Sequence, residues 1–118
     1  MSNSDDPVTV YVREVSNIEP LTKDEEAELF RQLGSRGSWD EAQENIARRL
    51  IESRLALVVS IAERHSASAV VMLDLIQEGN IGLMNAVKSF AKSPIGDFTD
   101  HAAACIAQAI TKALGESK

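Results

Sequence analysis

The chain has 118 residues, which is enough for one compact domain but not comfortably for two. About 44% of the residues are apolar, enough to bury one core and too many for a disordered segment. Twelve Lys and Arg against 18 Asp and Glu give a formal charge of -6, which argues against a general affinity for duplex nucleic acid. The one cysteine, Cys105, excludes an internal disulfide. No stretch approaches the roughly 20 apolar residues of a membrane span, so we expect a soluble, cytoplasmic protein.

Apolar residues at helical spacing predict an all-α fold, a compact bundle of about five helices. Asp6 and Pro7 are typical of an N-cap and a first turn, and they open a short first helix. A second helix begins at Thr22, where Glu25 three residues later completes a capping box. It ends at Gly34.

Three longer helices are predicted beyond this point. The third runs from about Trp39 to His65, and its second half is apolar almost all round, so we expect it to be the central buried helix. The fourth spans about Val71 to Ala91. The fifth follows Phe98 and reaches Leu114, with Gly115 as its expected stop.

The residues that could serve an enzyme are not arranged as a catalytic or metal site. His65 and His101 have no metal-ligand spacing around them. Asp97 and Asp100 stand at the start of a predicted helix, where acids are usually caps and dipole partners. Cys105 is four residues from His101, yet no third orienting group accompanies the pair. The sequence therefore predicts no enzyme, no metal and no cofactor.

The predicted fourth helix contains two glycines, Gly79 and Gly82. Each costs roughly 1 kcal/mol relative to alanine inside a helix. Glycines are retained in such positions where another backbone comes close or where a partner docks.

Polar residues on the same helix form a stripe. Asp74, Gln77, Glu78 and Ile81 follow i, i+3, i+4, i+7 spacing and lie opposite the apolar face. Two interpretations are open, a solvated face or a docking surface whose carboxylates meet Arg or Lys of a protein partner.

Several segments together resemble a known family. The run DLIQEGNIGLM (74–84) is preceded by LIESRLALVVSIAERH and followed by QAITKAL. In that order these segments resemble region 2 of bacterial sigma factors of the sigma-70 family. The earlier segments DPVTVYVREV and PLTKDEEAEL resemble the helices of region 1.2 that precede it. We therefore expect one domain over 1–118, with region 1.2-like helices in 1–34 and region 2-like helices in 39–118.

The resemblance implies a transcription initiation protein that binds core RNA polymerase. In the family, the polar face of the DLIQEGN helix docks on the clamp helices of the β′ subunit. By position this role carries over to Asp74, Gln77, Glu78 and Asn80, so the stripe found from spacing coincides with the implied docking surface.

The predicted fifth helix departs from the family, whose fifth helix captures the melted promoter strand. The family has Tyr, Trp, Trp and Gln where this chain has His101, Ala104, Cys105 and Gln108. Bases of a single strand are held by aromatic faces, each worth roughly 1 to 3 kcal/mol. The sequence therefore predicts weak or lost recognition of the melted -10 strand. Further departures are Gly96 for tyrosine, Asp97 for lysine and Ala107 for arginine.

Two alternatives remain open at this point. One is an active sigma fragment that still binds promoter DNA through Arg54, Phe98, His101 and Gln108. The other is an interaction module that binds an anti-sigma-like regulator, or a second copy of itself through the small residues Ala103, Ala104 and Ala107. The Met1 start favours a complete, shortened chain.

Overall fold

Six α-helices make up the computed structural model, which describes residues 6–35, 38–65 and 69–116. No strand occurs in these ranges, so the predicted all-α class is confirmed. The helices are α1 (Pro7–Ser16), α2 (Lys23–Leu33), α3 (Glu41–Glu52), α4 (Leu55–His65), α5 (Ala69–Lys92) and α6 (Phe98–Glu116).

The first two helices begin where the sequence predicts, because capping residues close in sequence fix their starts. The Asp6 side chain accepts a hydrogen bond from the amide of Val8 at 3.1 Å, and α1 starts with proline. Thr22 and Glu25 form a reciprocal capping box at the start of α2, with distances of 3.1 and 2.9 Å. Gly34 ends α2 with φ +69°, a conformation that glycine adopts without strain.

The predicted third helix is wrong in its continuity, because the structure divides it into α3 and α4. The break falls at Ser53 and Arg54, where neither proline nor glycine signals it. The Ser53 hydroxyl donates to the carbonyl of Leu50 at 2.6 Å, a local bond that competes with helix continuation. The predicted stop at Gly115 also shifts by a residue, because α6 continues to Glu116.

The central helix is α5, and not the segment around α4 that the sequence favoured. α5 contacts each of the other five helices, and its buried side packs against α4 and α6. The α4 segment is less buried than the sequence predicts, because Leu55 and Leu57 are only half-buried. The largest fully buried side chains come from α2, α3, α4, α5 and α6, namely Leu33, Leu50, Val58, Leu83, Val87, Ile106 and Ile110.

Close approach between helices explains both glycines of α5. A Cβ on Gly82 would lie 2.7 Å from the carbonyl oxygen of Cys105 in α6. A Cβ on Gly79 would lie 2.7 Å from the Val58 side chain in α4. Of the two reasons for retaining a glycine, the structure thus supplies the first, a neighbouring helix that comes close.

Candidate functional site

The polar residues predicted as a docking surface lie together on the exposed side of α5. Asp74, Gln77 and Glu78 are exposed, and Ile81 keeps 52% of its surface accessible. Met84, one turn further on, is 44% exposed and extends the row. We call these five residues the α5 stripe. On the opposite side of the helix the apolar residues are buried as predicted, namely Ile76, Leu83 and Val87.

Asn80 lies apart from the stripe. It is half-buried, and its amide nitrogen lies 3.4 Å from the hydroxyl of Tyr11 in α1. Its amide oxygen is buried without a hydrogen-bond partner in the described part of the chain. The structure therefore places Asn80 at the contact between α5 and α1, and Asn80 also lines the groove between α3 and α5 with Met84.

The α6 face predicted from the family comparison is only partly open. Ala104 and Gln108 are exposed, whereas His101 and Cys105 are half-buried. The Nε2 atom of His101 lies 2.7 Å from the hydroxyl of Ser89 in α5. The ring of His101 is also tilted against Phe90, with 5.8 Å between ring centroids. These contacts hold the imidazole against α5 and engage its Nε2 atom.

Cys105 and His101 are neighbours without being an activated pair. The Sγ atom lies 3.7 Å from His101 Nε2. Burial raises the pKa of the Cys105 thiol, which is the opposite of what a nucleophile needs. No cluster of three or more potential metal ligands occurs among the described residues.

Phe98, a residue of the predicted DNA-binding set, belongs to the core. It is 2% exposed and packs edge-on against Phe30 and Phe90, with centroids 4.9 and 5.3 Å away. Such tilted aromatic contacts are favourable in a buried cluster. In this arrangement the ring has no face available for stacking on a base.

Arg54 is held inside the protein by three contacts. Its Nη2 atom donates to Glu26 of α2 at 2.5 Å and to the hydroxyl of Thr99 at 3.1 Å. Its guanidinium lies 5.7 Å from the ring centroid of Phe98. The two charged side chains of the pair are 18% and 13% exposed. We call Arg54, Glu26 and Thr99 the Arg54 clasp, which uses the cation that the sequence assigned to the DNA surface.

Asp97 is a helix cap, as the sequence predicts. Its Oδ2 atom accepts from the amide of Asp100 at 3.2 Å, and its Oδ1 atom lies 3.2 Å from Nζ of Lys23. The lysine first and the backbone amide second hold the pKa of Asp97 below its usual value. An acid therefore stands at the start of α6, where it is paired with Lys23.

The structure contains a groove beside the α5 stripe that was not predicted from the sequence. It lies between α3 and α5 and has a volume of about 640 Å³. Trp39, Ile51 and Met84 supply apolar walls, and Arg48 and Lys88 supply cations. The helical period that relates Gln77 to Ile81 and Met84 continues to Lys88. Extending the predicted stripe by two turns beyond Ile81 would therefore have identified the α5 side of this groove.

Comparison with known proteins agrees with this architecture. A family model described as "Sigma-70 region 2" matches residues 50–118, which is more than half of the chain. The chain is 40% identical to RNA polymerase sigma factor SigA of Bacillus sp. over 111 residues, and 41% identical to SigA of Lactococcus lactis subsp. cremoris over 112 residues. It is 42% identical to SigA of Listeria monocytogenes over 112 residues. The chain belongs to the sigma-70 family.

The similarity covers most of this chain and a small part of each relative. These alignments take in 94 to 95% of the chain but only 28 to 30% of the three SigA proteins. The family consists of transcription initiation factors and not of enzymes. Within the described residues, no helix is both long and apolar enough to cross a membrane.

Proposed function

We propose that this chain binds core RNA polymerase in transcription initiation, and that the α5 stripe docks on the clamp helices of the β′ subunit. Family membership supports the partner, and the exposure of Asp74, Gln77 and Glu78 supports the surface. Neither carboxylate has an ion-pair partner within the described residues. Both are therefore available to arginines of a partner, where charge-assisted hydrogen bonds are the strong ones.

We further propose that recognition of the melted -10 promoter strand is weak or lost. The α6 face carries Ala104 and Cys105 where the family has tryptophans, so two stacking platforms are missing. The residues that could replace them are engaged elsewhere, Phe98 in the core and Arg54 in its clasp. This burial disfavours the alternative of an active fragment that uses the two residues to hold DNA.

The helices of 1–34 and 39–118 are proposed to act as one domain. Phe30 and Leu33 of α2 are buried in the same cluster as Phe90 and Phe98 of the region 2-like part. One continuous core therefore joins the two segments. We propose a cytoplasmic location because that is where core RNA polymerase works.

The experiment that tests docking is a binding titration of the purified chain with core RNA polymerase or with isolated β′ clamp helices. We expect micromolar or tighter binding. The double substitution Asp74→Ala with Gln77→Ala removes a carboxylate and an amide from the stripe, and should weaken binding at least about tenfold.

A matched control exists on another helix. Asp24 and Gln32 are exposed on α2, and Asp24→Ala with Gln32→Ala removes the same two chemical groups. This variant should bind like the unmodified chain. Absence of binding by the unmodified chain at tens of micromolar would contradict the proposal, and equal weakening in both variants would contradict the assigned surface.

A further inference from the structure

The exposed side of α5 separates its charges along the helix. The acids Asp74 and Glu78 occupy the first half, and the bases Lys88 and Lys92 occupy the second half. All four are exposed, and none has an ion-pair partner in the described ranges. Helical spacing places the four on one side of the helix, because successive members differ by four, ten and four residues.

The helix itself accounts for only one of the four charges. The favourable effect of the helix dipole is confined to the terminal turns, where it stabilises Lys92 in the last turn of α5, whereas the first turn contains no acid. Asp74 and Glu78 form an i, i+4 pair of like charges, and Lys88 and Lys92 form another. Both pairs oppose helix formation. A second surface with complementary charges would therefore stabilise these two pairs better than the isolated helix does.

We propose that this surface binds a second copy of the same chain, with the two α5 helices antiparallel across a two-fold axis. The midpoint between Asp74 and Lys92 and the midpoint between Glu78 and Lys88 both fall at position 83. An antiparallel partner centred there sets each acid opposite a base of the other copy. Because a two-fold interface repeats every contact, two kinds of ion pair become four.

The middle of the same surface carries two large apolar side chains beside the exposed amide of Asn85. Ile81 and Met84 are among the exposed large apolar side chains, and they lie close to position 83. A polar rim around an apolar centre is the usual anatomy of a protein interface. The face from Asp74 to Lys92 is about 27 Å long at the rise of an α-helix, so we expect an interface near the lower limit of about 1,000 Å² for specific association. The dimer should accordingly be reversible and weakened by salt.

Dimerisation would cover the α5 stripe. The dimer is inferred from the charge and exposure of α5 alone. Its consequence for polymerase binding rests on the proposed function. If both hold, a chain in the dimer cannot dock, and polymerase binding requires the monomer.

The test is the molar mass of the full chain in low salt, measured by light scattering or sedimentation up to about 500 µM, a range that includes weak specific association. We expect a concentration-dependent dimer. Glu78→Lys and Lys88→Glu each place like charges opposite one another twice, so each variant alone should associate about 100-fold more weakly. An equimolar mixture of the two restores both pairs and should dimerise like the unmodified chain.

Charge reversals elsewhere serve as controls. Asp24→Lys on α2 and Arg13→Glu on α1 change exposed residues outside α5 and should leave the dimer intact. A chain that remains monomeric over the whole range overturns the proposal. A dimer that persists in the separate Glu78→Lys and Lys88→Glu samples also overturns it, because association then uses another surface. Neither result depends on polymerase, so docking stands or fails by its own titration.

Discussion

Arg54 shows how one side chain can be diverted from a surface role to a structural one. By its position in the sequence it was the remaining cation of the predicted DNA surface. In the structure it joins α2 to α6 through Glu26 and Thr99 and covers the edge of the aromatic cluster at Phe98. Its Nε atom is buried without a partner within the described residues, which adds to the cost of holding the charge there.

Removing either partner of the ion pair in the clasp, by Arg54→Ala or Glu26→Ala, should destabilise the fold. Arg54→Ala leaves the Glu26 carboxylate largely buried and unpaired, and we expect a loss of about 2 to 3 kcal/mol in the free energy of unfolding. Urea denaturation of both single variants and the double variant should give a coupling of about 1 to 2 kcal/mol.

The exposed pair of Arg31 and Glu28 provides the comparison for that measurement. Both side chains are solvent-accessible, so Arg31→Ala should leave the unfolding midpoint unchanged. Equal effects of Arg31→Ala and Arg54→Ala would show that the clasp behaves as an ordinary surface ion pair.

At the scale of the elements, the close approach of α5 and α6 depends on glycine. Gly82 faces the backbone carbonyl of Cys105, which cannot move without moving α6. Gly79 faces side-chain atoms of Val58, Ile106 and Ile110 and no backbone, so an added Cβ there requires side chains to shift but not a whole helix. The two positions look alike in the sequence and differ in what surrounds them.

Alanine substitutions at the three glycines should therefore change the free energy of unfolding by different amounts and in different directions. Gly82→Ala gains about 1 kcal/mol of helix propensity but loses more through overpacking, and we expect a net loss of about 1 to 2 kcal/mol. Gly79→Ala should cost less. Gly115→Ala, which meets nothing within 4 Å, should be neutral or slightly stabilising. Thermal unfolding followed by circular dichroism measures all three, and a stabilising Gly82→Ala would contradict the close approach.

The helices could be predicted wherever the determining chemistry is local. Asp6, Thr22, Glu25 and Gly34 fix helix ends through bonds to residues close in sequence, and the structure confirms them. The break at Ser53 and Arg54 could not be predicted, because no proline or glycine marks it and because the contacts that hold Arg54 there come from α2 and α6, far away in the sequence.

The candidate site could likewise be predicted only where the position of a residue depends on a single helix. The exposure of Asp74, Gln77 and Glu78 follows from the helical period of one element. Asn80 could not be separated from them by sequence, because its position depends on Tyr11 in α1. Phe98 was expected at a buried position and was named for DNA binding only in one alternative; the ring cluster that buries it is assembled from three helices.

Across the whole molecule, the balance of charge and of aromatic surface opposes capture of a nucleic acid strand. The net charge is -6, and Arg54, near the start of α6, is largely buried and paired with Glu26. Attraction to phosphate requires free cations, and stacking requires exposed rings.

We therefore expect little binding to a single-stranded oligonucleotide that carries a promoter non-template sequence. Fluorescence anisotropy should show no saturation below about 10 µM. Ala104→Trp restores one exposed platform and should raise the affinity about fivefold or more, whereas Ala104→Leu should not. Submicromolar, sequence-selective binding by the unmodified chain would contradict the proposed loss of strand recognition.

Trp39 has an optical consequence that follows from its place in the groove between α3 and α5. It is the chain's only tryptophan, it is half-buried, and it lines the groove with Met84 and Lys88. A partner that covers this part of α5 excludes water near the indole and shifts its emission to shorter wavelength. The protein thus carries its own fluorophore beside the proposed interface, and either association can be followed without a label when the partner lacks tryptophan or is the chain itself.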